Sequence, residues 1–472
     1  MTEKEYRERL LELCKTENFS TATDVFYDKL NSLRDDLRKM ITENRDDASS
    51  LDGTNYYVSE SQGNDDADGL SPDTAWKTLK RACEHKYNSG DALLLRRGDK
   101  WYENMTAQSG VTYSAYGSGA KPKVYAAHNG KENAWLKTET DGIWLYDCKL
   151  ADKDIGVIVF NNGEKYAQKK YTLKHITDNL DFVYIFPCDD AADGRLYLRC
   201  DEGNPNEVFD NIDISFITKT QASIIKMPGG AHDITIKNLE LNYAHDIFFV
   251  AGSKNIFVSY CICGWTGGAY ISKDNPLRFG GGAGCWHSCN NMVFDHCYIY
   301  QQFDSGVTPQ YHYREADASI FKDFITTDCL FEKCEYTLEY FQTQTNRDDD
   351  LFENMYFGYN LCFNGGCGFG DKTNGSAYLK AWQNHKNHSK NCVIENNVFF
   401  EAAEHSISIC ARNNDRSFSY SQLPLIKQNL FVEPKGKPFA TVNEIDYAFD
   451  ETTYADFEEL KFAEDNRFIY SK

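Results

Sequence analysis

One short motif recurs down the second half of the chain and constrains the fold more than any other feature. Asp233-Ile234-Thr235-Ile236-Lys237-Asn238-Leu239 aligns with Asn255-Ile256-Phe257-Val258-Ser259-Tyr260-Cys261 and with Asn291-Met292-Val293-Phe294-Asp295-His296-Cys297. Asp323 to Cys329, Asn354 to Asn360, Asn391 to Asn397 and a degenerate Leu423 to Asn429 continue it. The seventh positions are 239, 261, 297, 329, 360, 397 and 429, at spacings of 22, 36, 32, 31, 37 and 32. Short alternating runs at such a period, with no regular helix between them, describe a parallel β-solenoid. Each coil buries alternate side chains and stacks on the next at about 4.8 Å. The seventh column reads Leu, Cys, Cys, Cys, Asn, Asn, Asn. Stacked amides at a turn satisfy turn backbone groups, and Cys replaces them as a compact filler. Cys261, Cys297 and Cys329 therefore read as buried thiols. Sixteen cysteines in 472 residues are far too few for a disulfide scaffold.

The rest of the chain divides around this repeat. Residues 1–50 read as a helical extension: Tyr6, Leu10 and Cys14, then Phe26, Leu30, Leu33, Leu37 and Ile41, keep helical spacing, with Thr21, Thr23 and Asp24 as cap candidates. Such a pair either covers the end of a larger body or serves as an oligomerisation arm. Residues 51–110 start the β-helix, 111–228 form an inserted β-rich region, 229–440 carry the coils with the active-site face, and 441–472 are a C-terminal tail or cap.

Net charge disfavours some partners. At −21 it weighs against binding a phosphate backbone, which needs a basic groove. No run of 18 apolar residues offers a membrane span. The opening Met1-Thr2-Glu3-Lys4-Glu5 carries no signal-peptide stretch, so a cytoplasmic location is expected, or secretion if a leader precedes this sequence. The expected partner is an oligosaccharide, and a homo-oligomer stays open.

Outward side chains on one sheet of a solenoid form a continuous groove. With Val307, Leu338, Phe369 or Gly370, and Ile407 taken as inward, Asp304, Glu339 and Asp371 fall in one sector of three successive coils. Crowded carboxylates push their pKa values apart, which acid and base roles require. Glycoside hydrolysis uses two: about 5 Å apart for retention, about 6.5–9.5 Å for inversion. Adjacent coils would suit the first and alternate coils the second, and the register between coils leaves both open. Arg278, His287, His312 and His405 are candidates for sugar hydroxyls, and Trp265, Trp286, Tyr311, Tyr340, Phe341 and Trp382 for stacking platforms. Gly280-Gly281-Gly282-Ala283-Gly284 and Gly365-Gly366-Cys367-Gly368 lack the strand-to-helix setting of a phosphate loop. His385 and His388 have no fixed third ligand nearby, so no metal site is assigned.

The start of the β-region combines Tyr56-Tyr57-Val58-Ser59, Gly69-Leu70-Ser71-Pro72, Ala75-Trp76-Lys77-Thr78-Leu79 and Gly90-Asp91. It resembles the start of many right-handed parallel β-helix carbohydrate-active enzymes. Asp154 to Phe160, Gly203-Asn204-Pro205, Phe303 to Thr308 and Cys334 to Tyr340 make the chain similar to β-helix proteins around glycoside hydrolase family 141. That family includes α-L-fucosidase and xylanase activities, and the resemblance covers about 55 to 430. It implies an all-β, right-handed parallel β-helix with a carboxylate pair on one face. Carried over by coil, the pair is Asp304 with Glu339 or Asp371, although a family-like Asp at the second position is replaced by Glu339. The helical extension and absent leader depart from the family and suggest an intracellular enzyme acting on imported oligosaccharides.

Three readings follow. The leading one is a cofactor-free glycoside hydrolase for neutral or weakly charged oligosaccharides, plant xylan-type or fucosylated. A second is a polysaccharide lyase or epimerase on uronates, with Ca²⁺ as its cofactor and a basic residue as proton acceptor. The third is a non-catalytic glycan-binding β-helix.

Overall fold

The computed structural model describes residues 1–49, 52–148, 154–186, 194–217, 223–272, 275–286, 289–311, 320–342, 351–370, 375–383, 388–411, 423–451 and 463–472. The chain is a parallel β-helix. Each coil contributes one strand to each of three long sheets, in the order first, second, third. One coil, for example, runs His232–Lys237, Glu240–Ala244 and Asp246–Ala251, and the next begins at Lys254–Ser259. The first sheet has 13 strands and the second and third have 10 each.

Corners explain the motif. The residue before each seventh position, from Asn238, Tyr260 and His296 through Asp328, Tyr359, Asn396 and Gln428 to Asp465, has φ between 49° and 60°. Asn, Asp and His tolerate that left-handed conformation best, which accounts for most of this column. The seventh position itself turns inward. Cys297 N–H donates to Cys329 Sγ at 3.3 Å, and Cys329 N–H to Asn360 Oδ1 at 2.9 Å. Asn360, Asn397 and Asn429 continue the ladder N–H to Oδ1, and Asn466 adds a further rung beyond the seven read from sequence. Every described cysteine is a free thiol. A second, outer ladder links the first motif position, with Asn255 Nδ2 on Asp233 and Asn291 Nδ2 on Asn255.

The helical extension is α1 (Glu3–Leu13) and α2 (Asp24–Thr42), with Thr23 capping α2 through Phe26 N–H. Contrary to the expected end cap, the pair lies along the flank of the second sheet. Its Tyr6, Leu10, Leu30, Leu33, Leu37 and Ile41 bury the outward column Leu330, Leu361, Val398 and Leu430. A sheet whose outer face is apolar must be covered, and the helices are that cover. The connecting segment also blocks an edge: Phe19 and Ala22 N–H donate to Phe468 and Tyr470 carbonyls of the last strand, Arg467–Ser471.

Sheet pairing narrows the inserted region expected at 111–228. Thr112–Tyr116 pairs in parallel with Ala92–Arg96, Lys123–Tyr125 with Glu240–Ala244, and Ser223–Lys226 with Asp246–Ala251. The excursion proper runs from Ala127–Asn129 to Ile212–Ile217 and folds into two small, mostly antiparallel sheets. Its buried Lys169–Asp154 ion pair, 2.6 Å, faces the solenoid, where Asp154 also accepts Tyr270 N–H. Residues 441–472 add solenoid strands, and Ile445–Ala448 folds back antiparallel onto Pro438–Val442. No described helix is long and apolar enough to cross a membrane.

Candidate functional site

Among the described residues no helix covers the outer face of the third sheet, and its register decides which side chains meet there. Phe248, Ala283, Val307, Leu338, Leu379 and Ile407 form one inward row across successive strands. Val307, Leu338 and Ile407 are thus inward as expected, but the intervening coil contributes Leu379 rather than Phe369 or Gly370. That coil leaves the second sheet after Leu361–Phe363 and rejoins the third only at Ala377–Gln383. Asp371 lies outside the described residues.

Lys380, missed from sequence, occupies the position next to Glu339. Its Nζ lies 2.7 Å from Glu339 Oε1 and 4.0 Å from the centre of the Tyr336 ring. Glu339 is buried and also accepts Gln310 Nε2 at 3.1 Å and Thr308 Oγ at 3.3 Å. It is level with Thr308, not with Asp304, because Val307 pairs with Leu338. Four residues along a strand are about 13 Å. The expected side-by-side pairing of Asp304 and Glu339 is accordingly replaced: Asp304 and Glu335 are level, each just before the paired Ser305 and Tyr336.

The same alignment puts Ser376 and Glu404 in that column, since Tyr336 pairs with Ala377 and Ala377 with His405. Asp304, Glu335 and Glu404 thus share one edge of the face. The Tyr336 phenol is pushed well up, first by burial and then by the negative charges of Asp304, Glu335, Glu339 and Glu404. Its hydroxyl donates to Gly375 O at 2.6 Å. Aligning Asp304-Ser305 with Glu335-Tyr336 and Glu404-His405 in the sequence would have found this column.

A fourth carboxylate comes from two strands away. Asp246 starts the strand Asp246–Ala251 and is level with Gly281 and Ser305. The strand between carries no side chain there. A Cβ on Gly281 would lie 2.2 Å from Ser305 O, and one on Gly282 2.1 Å from Gly306 O, so glycine is required by close backbone approach. Burial raises the Asp246 carboxyl pKa, the charge of Asp304 adds to the rise, and His245 and the Gly281 N–H oppose it. Its side chain remains 16% exposed. Asp246 thus lies close enough to feel the charge of Asp304, with glycine on the coil between them.

Among the other sequence candidates, Arg278 reaches this edge: its guanidinium stacks 4.5 Å over the Phe303 ring and donates to Gly268 O at 2.6 Å. His405 follows Glu404 and is level with Tyr336 and Ala377, 3.5 Å from Asp446. Tyr340 is a correction. Strand alternation turns it inward beside outward Glu339, where it packs 4.3 Å from Phe352 and bonds Ser389. Trp265 is buried at a corner against Phe369. Trp286, Phe341 and Trp382 share one register column with Gln310, while their side chains, like those of Tyr311 and His388, lie outside the described residues. His287, His312 and His385 lie outside them altogether. The one metal-spaced group among the described residues, Asp295, His296 and Asp328, sits at a distant corner, where Arg7 already holds both Asp328 oxygens.

No family model matches the chain. A stretch of 129 residues, 24% of this chain, is 30% identical to a lacto-N-biosidase of Bifidobacterium longum subsp. longum. That stretch is 8% of the relative, so the chain spans less than a tenth of its length. Among solved structures, a family 136 lacto-N-biosidase from Eubacterium ramulus superposes with a TM-score of 0.33 at 12% identity, covering 94% of this chain and 70% of the other. The catalytic domain of a family 87 α-1,3-glucanase gives 0.25 at 7% identity, covering 67% and 88%.

Proposed function

We propose that the protein is a glycoside hydrolase whose acid and base are Asp246 and Asp304. The observation that carries this is the raised pKa of Asp246 beside the charge of Asp304, with glycine on the coil between them. A carboxyl whose pKa burial raises is suited to donate to the departing glycosidic oxygen, and a neighbouring carboxylate to activate water or attack the anomeric carbon. Alternate strands stand about 9.6 Å apart, nearer the wider of the two carboxylate spacings, so net inversion through water is the outcome to test first. Glu339, fixed by Lys380, Gln310 and Thr308, and Arg278 over Phe303 serve as groups that orient sugar hydroxyls.

The carboxylate-rich edge around Tyr336 disfavours polyuronates and favours neutral glycans. The stretch similar to a lacto-N-biosidase makes lacto-N-biosides the first substrates to try, with fucosylated and xylan-type oligosaccharides following from the family 141 resemblance. One observation favours a lyase instead, Lys380 beside Tyr336, which are residue types that take protons from uronates. Its engagement by Glu339 argues against that role.

Wild type, Asp246→Asn and Asp304→Asn would be assayed on aryl and natural glycosides, with the first-formed anomer followed by proton NMR. Both variants are expected to lose about 10²–10⁴ in kcat on natural substrates. Asp246→Asn should lose less on nitrophenyl glycosides, whose leaving group needs no proton. Activity within tenfold of wild type in either variant would sink the assignment, and an ultraviolet-absorbing unsaturated product would transfer it to the lyase reading.

A further inference from the structure

The helices do not cover all of the second sheet. Between α2 and the excursion lies a groove of about 440 Å³. Arg34 and Arg38 form one wall and Asn162-Gly163 the other. Trp265, Tyr298 and Tyr300 make the floor, and the left-handed corner residues Gln301, Lys333 and Asn364 form the rim towards the third sheet.

The groove runs against the charge of the molecule. In a chain of net −21, its lining has three cations, Arg34, Arg38 and Lys333, and one carboxylate, Glu332. Glu332 is already saturated: it accepts Arg38 Nη2 at 2.6 Å and Tyr298 Oη at 2.5 Å, with Arg34 Nε at 3.9 Å. Asp35 touches both arginines from the solvent side, at 3.3 and 3.4 Å, but is 61% exposed, so water screens it. Arg38 Nε is buried with no hydrogen-bond partner. Among the described residues, cationic donors thus exceed the acceptors shown for them, beside ring edges and the amide side chains of Asn162, Gln301 and Asn364. Acidic sugars carry the complementary set: an anionic group, several hydroxyls and an apolar ring face. The volume is in the range of small-ligand pockets, which starts at about 300 Å³.

We propose that this groove binds a small acidic carbohydrate, of one or two sugar units, through its carboxylate or phosphate. Arg34, Arg38 and Lys333 take the anionic group; Asn162 and Asn364 take ring hydroxyls; Trp265 and Tyr300 border the ring. The site is separate from the third-sheet face and does not depend on the hydrolase reading. Gln301 links the two regions structurally, since its Oε1 accepts Phe369 N–H at 3.0 Å, and Phe369 packs against Phe303 next to Asp304.

The test is calorimetric titration of the full chain with glucuronate, glucose 6-phosphate, inorganic phosphate and glucose at matched ionic strength. Wild type, Arg34→Gln, Lys333→Glu and Asp304→Asn would be compared. The acidic sugars are expected to bind and glucose not, with affinity falling about tenfold or more in the Arg34 and Lys333 variants. Asp304→Asn should bind as wild type does, which separates this site from the catalytic proposal. Lys333 is exposed, so its variant keeps the test valid if Arg34→Gln disturbs the docking of α2. Glucose binding as tightly as the acids, or unchanged affinity in Lys333→Glu, would overturn the proposal. Inorganic phosphate binding as tightly as glucose 6-phosphate would overturn its sugar component. Preference between glucuronate and the phosphate ester identifies the anionic group.

Discussion

Replacing Asn397 by Ala tests whether the inner asparagine ladder holds the coils together. Asn397 is fully buried. Its Oδ1 accepts Asn360 N–H at 2.9 Å and Asn360 Nδ2 at 3.0 Å, and its Nδ2 donates to the carbonyls of Phe357 and Glu395 and to Asn429 Oδ1. Alanine removes all five and leaves the Asn360 N–H and the Phe357 carbonyl without these partners in an interior that water does not reach. Each buried group left unsatisfied costs about 1–3 kcal/mol. Part is recovered because Asn360 Nδ2 still bonds Thr326 O at 3.1 Å, so the expected loss is about 3–5 kcal/mol. Asn397→Cys should cost less, because the column already uses Cys329 Sγ to accept the preceding N–H. The assay is urea unfolding together with amide hydrogen exchange across 355–363, where the Asn360 amide should lose protection. A loss under about 1 kcal/mol, with exchange at Asn360 unchanged, would refute the ladder's role.

Other outcomes follow from the same geometry. Because the folded pKa of Asp246 is raised, its ionised form destabilises the fold at all pH above that value, and the cost vanishes below its ordinary value of 3.8. Asp246→Asn should therefore raise stability at pH 7 and lose that advantage as pH falls, which thermal unfolding from pH 3 to 8 will reveal. Lys169, buried against Asp154, has its pKa lowered to about 8 by desolvation. Lys169→Met should destabilise by about 3–5 kcal/mol by stranding Asp154, and a second change, Asp154→Leu, should restore much of it in denaturant titrations. A reducing agent should leave Tm unchanged, and a thiol reagent applied to the native protein should modify exposed Cys367 before Cys261, Cys297 or Cys329.

Much of this protein is local in origin and therefore legible in the chain. A period of two within strands and a turn residue that tolerates positive φ recur at each corner, so the solenoid, its seventh-position ladder and its unpaired thiols follow from residues within one coil. The apolar stripes of α1 and α2 likewise announce helices that must cover something. What they cover, the outward row Leu330, Leu361, Val398 and Leu430, is set by contacts some 300 residues away in sequence, which periodicity does not encode. The site depended most on tertiary structure. Asp304 was visible as a carboxylate at the start of a strand, and Arg278 as a nearby cation. Its neighbours were not, because coils differ in length and the connection between Phe363 and Ala377 shifts which residue comes level with Glu339. The register that brings Lys380 level with Glu339 also concealed Glu335 and Glu404. Asp246 was hidden for a related reason: it comes near Asp304 across a glycine lead-in to the strand between them, and stacking, unlike pattern, is decided by hydrogen bonds between coils.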